Sequence, residues 1–161
     1  MKQLLLIRHA KSSWDDLSLD DLDRPLNKRG KREATLLGQY LKRNSINPQM
    51  IFSSPAKRAY KTAKRISNEL GFQKKMIKID KIIYSGSKSD LVELIGSIDK
   101  KIDHVFIIGH YPSLMELGNY LTASNFDKML TCGFILIDFK TKFWEDIGHM
   151  RGNIVLIDRV R

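Results

Sequence analysis

The chain has one cysteine, Cys132, so no disulfide can close within it, and it offers no CxxC pair around which a structural zinc site could be built. That cysteine usage suits a reducing compartment, and a cytoplasmic location is expected. Long apolar runs are also missing. The opening stretch Leu4 to Ile7 stops at Arg8, too soon for a signal-peptide core or a membrane span, so neither export nor membrane association is expected. Acidic residues are in deficit: 18 Asp and Glu stand against 28 Lys and Arg, a net charge of +10 that favours anionic partners by long-range steering. The excess is nevertheless dispersed over several predicted helices (Lys28, Arg29, Lys31, Arg32; Lys57, Arg58, Lys61, Lys64, Arg65). A nucleic-acid reader concentrates such charge on one element with interleaved aromatics, so nucleic acid is not an expected partner. There is no HExxH or carboxylate-rich metal motif, internal repeat or low-complexity linker, and 161 residues suit one domain, 1–161, with its own core.

What is present is ordered in alternation. Leu4-Leu5-Leu6-Ile7 reads as a strand buried on both faces, ending at Arg8-His9. Lys11 to Pro25 is polar and lacks a period, and it gathers Asp15, Asp16, Asp20, Asp21 and Asp23; it is expected to be a long loop able to lie over a site. Asn27 is a predicted cap for a helix to about Arg43, whose Ala34, Leu37, Gly38 and Leu41 share one face. Met50 to Ser53 is a short strand, and Ser54-Pro55 reads as the cap and first position of a second helix, which ends at Gly71. Met76 to Ile79 is a weaker strand, Ile82-Ile83-Tyr84 an apolar stretch, and Leu91, Leu94, Ile95 and Ile98 mark a third helix. Val105 to Ile108 is a buried strand ending in Gly109-His110-Tyr111-Pro112, followed by a helix over about Ser113 to Leu121. Gly133 to Phe139, Phe143 to Ile147 and Ile154 to Asp158 read as successive, antiparallel strands. The fold expected is α/β, a three-layer α/β/α sandwich whose central sheet is mainly parallel with antiparallel edge strands.

Carboxyl ends of parallel strands share one sheet edge, where ligands of such folds sit. This rule brings Arg8 and His9, then Arg58 in the first turn of its helix, then His110, to one place. Arginine forks match two phosphoryl oxygens and stay charged at any working pH, while a neutral imidazole has a free nitrogen for attack on phosphorus. Neighbouring arginines disfavour imidazolium and keep the ring in that neutral form. The same positive crowd argues against a bound divalent metal, and no cofactor is expected.

Arg8-His9-Ala10, Ser53-Ser54-Pro55-Ala56-Lys57-Arg58-Ala59 and Gly109-His110 together resemble the histidine phosphatase superfamily, which includes the phosphoglycerate mutases and acid phosphatases. The opening Arg8 to Trp14 and the segment Asp23-Arg24-Pro25-Leu26 resemble the SixA-type phosphohistidine phosphatases in particular. The resemblance implies a phosphoglycerate mutase-like fold, His9 as nucleophile, and Arg8, Arg58 and His110 as holders of the phosphoryl oxygens. Larger relatives place a glutamate or aspartate near the third strand to protonate the leaving group, but here Ile82 to Lys88 contains no acid. Asp21 is the preferred candidate general acid, with Asp23, or no dedicated acid at all, as the alternatives. Arg24 is a candidate substrate contact, or else the ion-pair partner of a neighbouring aspartate. Ser12, Lys11 and Trp14 are expected at the mouth; Ser12 and Tyr111 are candidate substrate contacts, although Tyr111 stands where relatives often carry asparagine.

The expected function is dephosphorylation of phosphohistidine on a protein such as a phosphotransfer domain, by a monomer. A phosphatase for small phosphomonoesters is the enzymatic alternative. An inactive phosphate-binding adaptor is the non-enzymatic one.

Overall fold

A computed structural model describes residues 1–159. Six strands form one sheet: β1 (Lys2–Arg8), β2 (Met50–Ser53), β3 (Ile77–Ile79), β4 (His104–Gly109), β5 (Gly133–Phe139) and β6 (Asn153–Arg159), in the order β3-β2-β4-β1-β5-β6. The first four run parallel, with β1 against β4, β4 against β2 and β2 against β3. β5 is antiparallel to β1, and β6 antiparallel to β5, as the change of pattern late in the chain predicts.

The alternation of side chains along a strand sorts β1 into two cores. Leu4 and Leu6 join Leu91, Ile95, Leu114 and Leu117, which come from α4 (Lys88–Gly96) and α5 (Ser113–Thr122). Leu5 and Ile7 face the other way, onto Leu37, Leu41, Ala59, Ala63 and Ile66 of α1 (Lys28–Arg43) and α2 (Lys57–Leu70). A single turn, α3 (Ile82–Ser85), stands between β3 and α4. The result is the three-layer α/β/α sandwich, with each buried aliphatic side chain of β1 contributing about 1.5–3 kcal/mol. Among the described residues no helix is long and apolar enough to cross a membrane.

Local signals set the element ends. Asn27 caps α1 by accepting the Gly30 N–H at 2.8 Å, and Gly71 closes α2 with φ of 69°, the left-handed conformation that glycine tolerates. Two readings of the sequence are corrected. Phe143 to Ile147 is not a strand: Trp144–His149 is a 3-10 helix, because Trp144 and Ile147, one tight turn apart, both enter the core. Ser54-Pro55 does not open α2. The helix begins at Lys57 after Ala56, and Ser54 stays in a buried turn with its hydroxyl committed elsewhere. Within the loop after β1, Asp21–Asp23 form a 3-10 turn and Ser12 bridges to Leu26, so the segment is built rather than slack.

Candidate active site

The parallel register puts the ends of β1, β2 and β4 side by side: Arg8 pairs with Gly109, and Ser53 with Ile108. His9 and His110 each follow one of these ends, and their rings lie 5.2 Å apart, tilted by 56°. Both rings are buried, His9 to 8% exposure and His110 to 9%. Desolvation is the main reason that the His9 pKa falls to about 3; the Ala10 carbonyl opposes the fall, while His110, Arg58 and Arg8 add to it. His110 falls to about 4, again mainly by desolvation, with Arg58 the next cause. Both imidazoles are therefore neutral at neutral pH.

The tautomer of His9 follows from its neighbour. Nδ1 lies 2.8 Å from the Ala10 carbonyl, which can only accept, so Nδ1 carries the proton and Nε2 keeps its lone pair. Nε2 has no hydrogen-bond partner among the described residues. No residue type announces this acceptor, because it is the backbone of the next residue.

Arg8 donates through Nη1 to the Met129 carbonyl at 2.7 Å and lies 5.1 Å from the Tyr111 ring centroid. Its Nε is buried with no hydrogen-bond partner among the described residues. Arg58, buried in the first turn of α2, sends Nη1 to the Asp21 carbonyl oxygen at 2.6 Å and Nη2 to Asp21 Oδ2 at 2.9 Å. Tyr84 donates its hydroxyl to the same Oδ2 at 2.8 Å, and Arg24 Nη1 reaches Oδ1 at 3.2 Å. Partial burial works to raise the Asp21 pKa, but Arg58, then Tyr84, then Arg24 carry it down to about 2. Asp21 is thus brought to the site as an ionised carboxylate, with no proton to give in this arrangement.

Arg24 is buried and braces the loop. It donates to Ser12 Oγ at 2.5 Å and to the Ser13 carbonyl at 3.3 Å, and its guanidinium lies 3.2 Å from the centre of the exposed Trp14 ring. Arg24 also forms an ion pair with Asp21 rather than Asp23. Ser12, buried and bound to Arg24, supports the loop from within, while Tyr111 stays partly exposed beside Arg8.

Two contacts of the site had no local sequence signal. Tyr84 reaches Asp21 across a separation of 63 residues. Ser54 places Oγ 2.7 Å from His110 Nε2. No group of three or more His, Cys, Asp or Glu side chains among the described residues is placed to hold a metal ion.

A mainly parallel sheet whose carboxyl edge gathers two neutral histidines and two buried or half-buried arginines defines an α/β protein with a built anion cradle. Comparison with known proteins gives the class its name. Residues 4–82 match the model of the histidine phosphatase superfamily (branch 1). An uncharacterized chloroplastic protein of Arabidopsis thaliana is 33% identical over 159 residues, covering 94% of this chain and 72% of that one. Phosphoserine phosphatase 1 of Hydrogenobacter thermophilus is 41% identical over 85 residues, 52% of this chain and 38% of that enzyme. The structure of the protein histidine phosphatase SixA with tungstate superposes with a TM-score of 0.79 at 19% identity, covering 98% of this chain and 96% of that one, a likeness of fold. The chain belongs to the histidine phosphatase superfamily and has its phosphoglycerate mutase-like fold.

Proposed function

We propose that this protein removes phosphate from phosphohistidine on a protein, with His9 as nucleophile and no metal in the reaction. The observation that supports this reading most is the His9 ring itself: Nδ1–H is spent on the Ala10 carbonyl, and Nε2 is left unprotonated and without a partner among the described residues. Nε2 attacks phosphorus, the bond to the leaving nitrogen breaks, and a phosphoryl group sits on His9. Arg8, Arg58 and His110 hold the oxygens over which charge spreads in the transition state. Water then attacks the phosphoryl group, releasing inorganic phosphate and restoring the neutral ring.

The state of Asp21 favours an imidazole leaving group. An alkoxide must be protonated as its bond to phosphorus breaks, whereas a phosphorylated imidazole protonated on its other nitrogen departs as a neutral ring. A carboxyl held at about 2 has no proton to spend on the first kind of substrate. In this reading Asp21 acts as a general acid only after an incoming phosphoryl group has displaced it from Arg58. SixA, described as a protein histidine phosphatase, shares the fold, which agrees with this substrate class. The relative named as a phosphoserine phosphatase supports a second reading, hydrolysis of small phosphomonoesters.

The test is turnover with chelator present. Wild-type protein is expected to release phosphate from a phosphohistidine protein and from phosphoramidate at higher kcat/KM than from phosphoserine, and His9→Ala to abolish release. Equal activity in wild type and His9→Ala would rule out the nucleophile, and a preference for phosphoserine would establish the second reading.

A further inference from the structure

The turn between β2 and α2 holds Ser54 fully buried with its backbone spent: its N–H donates to the Ile108 carbonyl at 3.0 Å, and its carbonyl accepts the Ser53 hydroxyl at 2.9 Å. Its Oγ has two neighbours, the Ala56 N–H at 3.1 Å and His110 Nε2 at 2.7 Å. The first can only donate, so Oγ accepts from it. A hydroxyl has one hydrogen to give. If His110 Nε2 carried the ring proton, Oγ would accept twice, and its own O–H would be buried with no acceptor among its described contacts. Buried donors are rarely left so. If Nε2 is bare, Ser54 donates to it and every group in the turn is satisfied.

We propose that Ser54 is a positioning residue that fixes His110 as the Nδ1–H tautomer, so that the ring presents an N–H donor, not a lone pair, to the phosphoryl oxygens. Nδ1 is the His110 ring nitrogen with no hydrogen-bond partner among the described residues, since the Ser54 contact is made by Nε2. His9 has the same tautomer but is turned the other way: its Nδ1–H is spent on backbone, and its Nε2 lone pair is free. One tautomer in two orientations therefore supplies a nucleophile and an oxyanion donor on rings whose centroids lie 5.2 Å apart. With the opposite tautomer His110 would direct a lone pair at a phosphoryl oxygen and repel what it should hold. Burial keeps both rings neutral, so protonation cannot supply the missing donor. The use of that donor rests on the phosphatase reading; the tautomer does not.

The first measurement therefore needs no activity. Long-range proton–nitrogen NMR at neutral pH, with the His110 signals assigned by their loss in His110→Gln, is expected to show Nδ1 protonated and Nε2 bare in the wild type. A protonated Nε2 would overturn the proposal without touching the function. Ser54→Ala is then expected to give a mixed or inverted tautomer and to weaken binding of inorganic phosphate roughly tenfold, with Ser54→Thr restoring the wild-type nitrogen shifts. A Ser54→Ala protein that folds and keeps a pure Nδ1–H signature would also overturn it. If the tautomer is as stated but wild type turns over no phosphorylated substrate, it is the functional reading that fails.

Discussion

Both prongs of the Arg58 guanidinium are held by Asp21: Nη2 meets the carboxylate Oδ2 at 2.9 Å, and Nη1 meets the backbone carbonyl of the same residue at 2.6 Å. A phosphoryl group needs that planar fork for its own oxygens. The side chain of Asp21 is 47% exposed, so it has room to leave, and an incoming phosphate must compete with it.

Removing the charge while keeping the shape should therefore favour phosphate. Asp21→Asn is expected to bind inorganic phosphate several-fold more tightly at neutral pH, measured by calorimetry, because Arg58 and Arg24 lose an anionic partner and the cradle becomes more positive. Unchanged or weaker binding would show that Asp21 holds Arg58 in place more than it competes for it.

The two histidines make stability depend on pH. Their folded-state pKa values, about 3 for His9 and about 4 for His110, lie below the ordinary value of 6.5. Between those values the unfolded chain binds more protons than the folded one, so stability rises with pH there and is lost as pH falls from about 6.5 towards 4 and 3. Asp21 works lower down: its contribution is present above the usual carboxylate range and is lost as pH falls through about 2. The melting temperature is expected to fall between pH 7 and pH 4, and the fall to be shallower in the His9→Gln, His110→Gln double variant. Parallel curves would show that the rings are not held neutral.

Legibility in the sequence followed the reach of each signal. Leu4 to Ile7, the Asn27 cap and the Val105 to Ile108 strand were readable because their evidence is local, and the topology rule for parallel strands carried Arg8, His9, Arg58 and His110 to one edge. Where two local meanings compete, reading failed. Ser54-Pro55 looks like a helix cap, but the Ser54 hydroxyl is bound to His110, 56 residues away. Lys2 opens β1. It is fully buried, because the carbonyls of Lys100 and Ile102 and the carboxylate of Asp103 converge on its Nζ at 2.5, 2.7 and 2.8 Å. Nothing near Lys2 in sequence announces those acceptors.

Gly30 connects the helix layer to the nucleophile. It sits in the first turn of α1, and a Cβ there would lie 2.0 Å from the Lys11 carbonyl oxygen. That oxygen also accepts the Asn27 N–H at 3.0 Å, so the chain just after His9 is clamped to the start of α1. The obstruction is backbone on both sides and cannot be relieved by turning a side chain. Gly30→Ala is expected to destabilise the fold by about 1–3 kcal/mol, read as a lower urea midpoint at unchanged slope. Relief by moving the helix alone would break the Asn27 cap; relief by moving Lys11 would pull on Ala10, whose carbonyl orients the His9 ring. The second route costs catalysis as well as stability. Under conditions where Gly30→Ala is still fully folded, kcat is therefore expected to fall at least tenfold. A folded variant with unchanged kcat would show that the His9 turn is independent of its contact with α1.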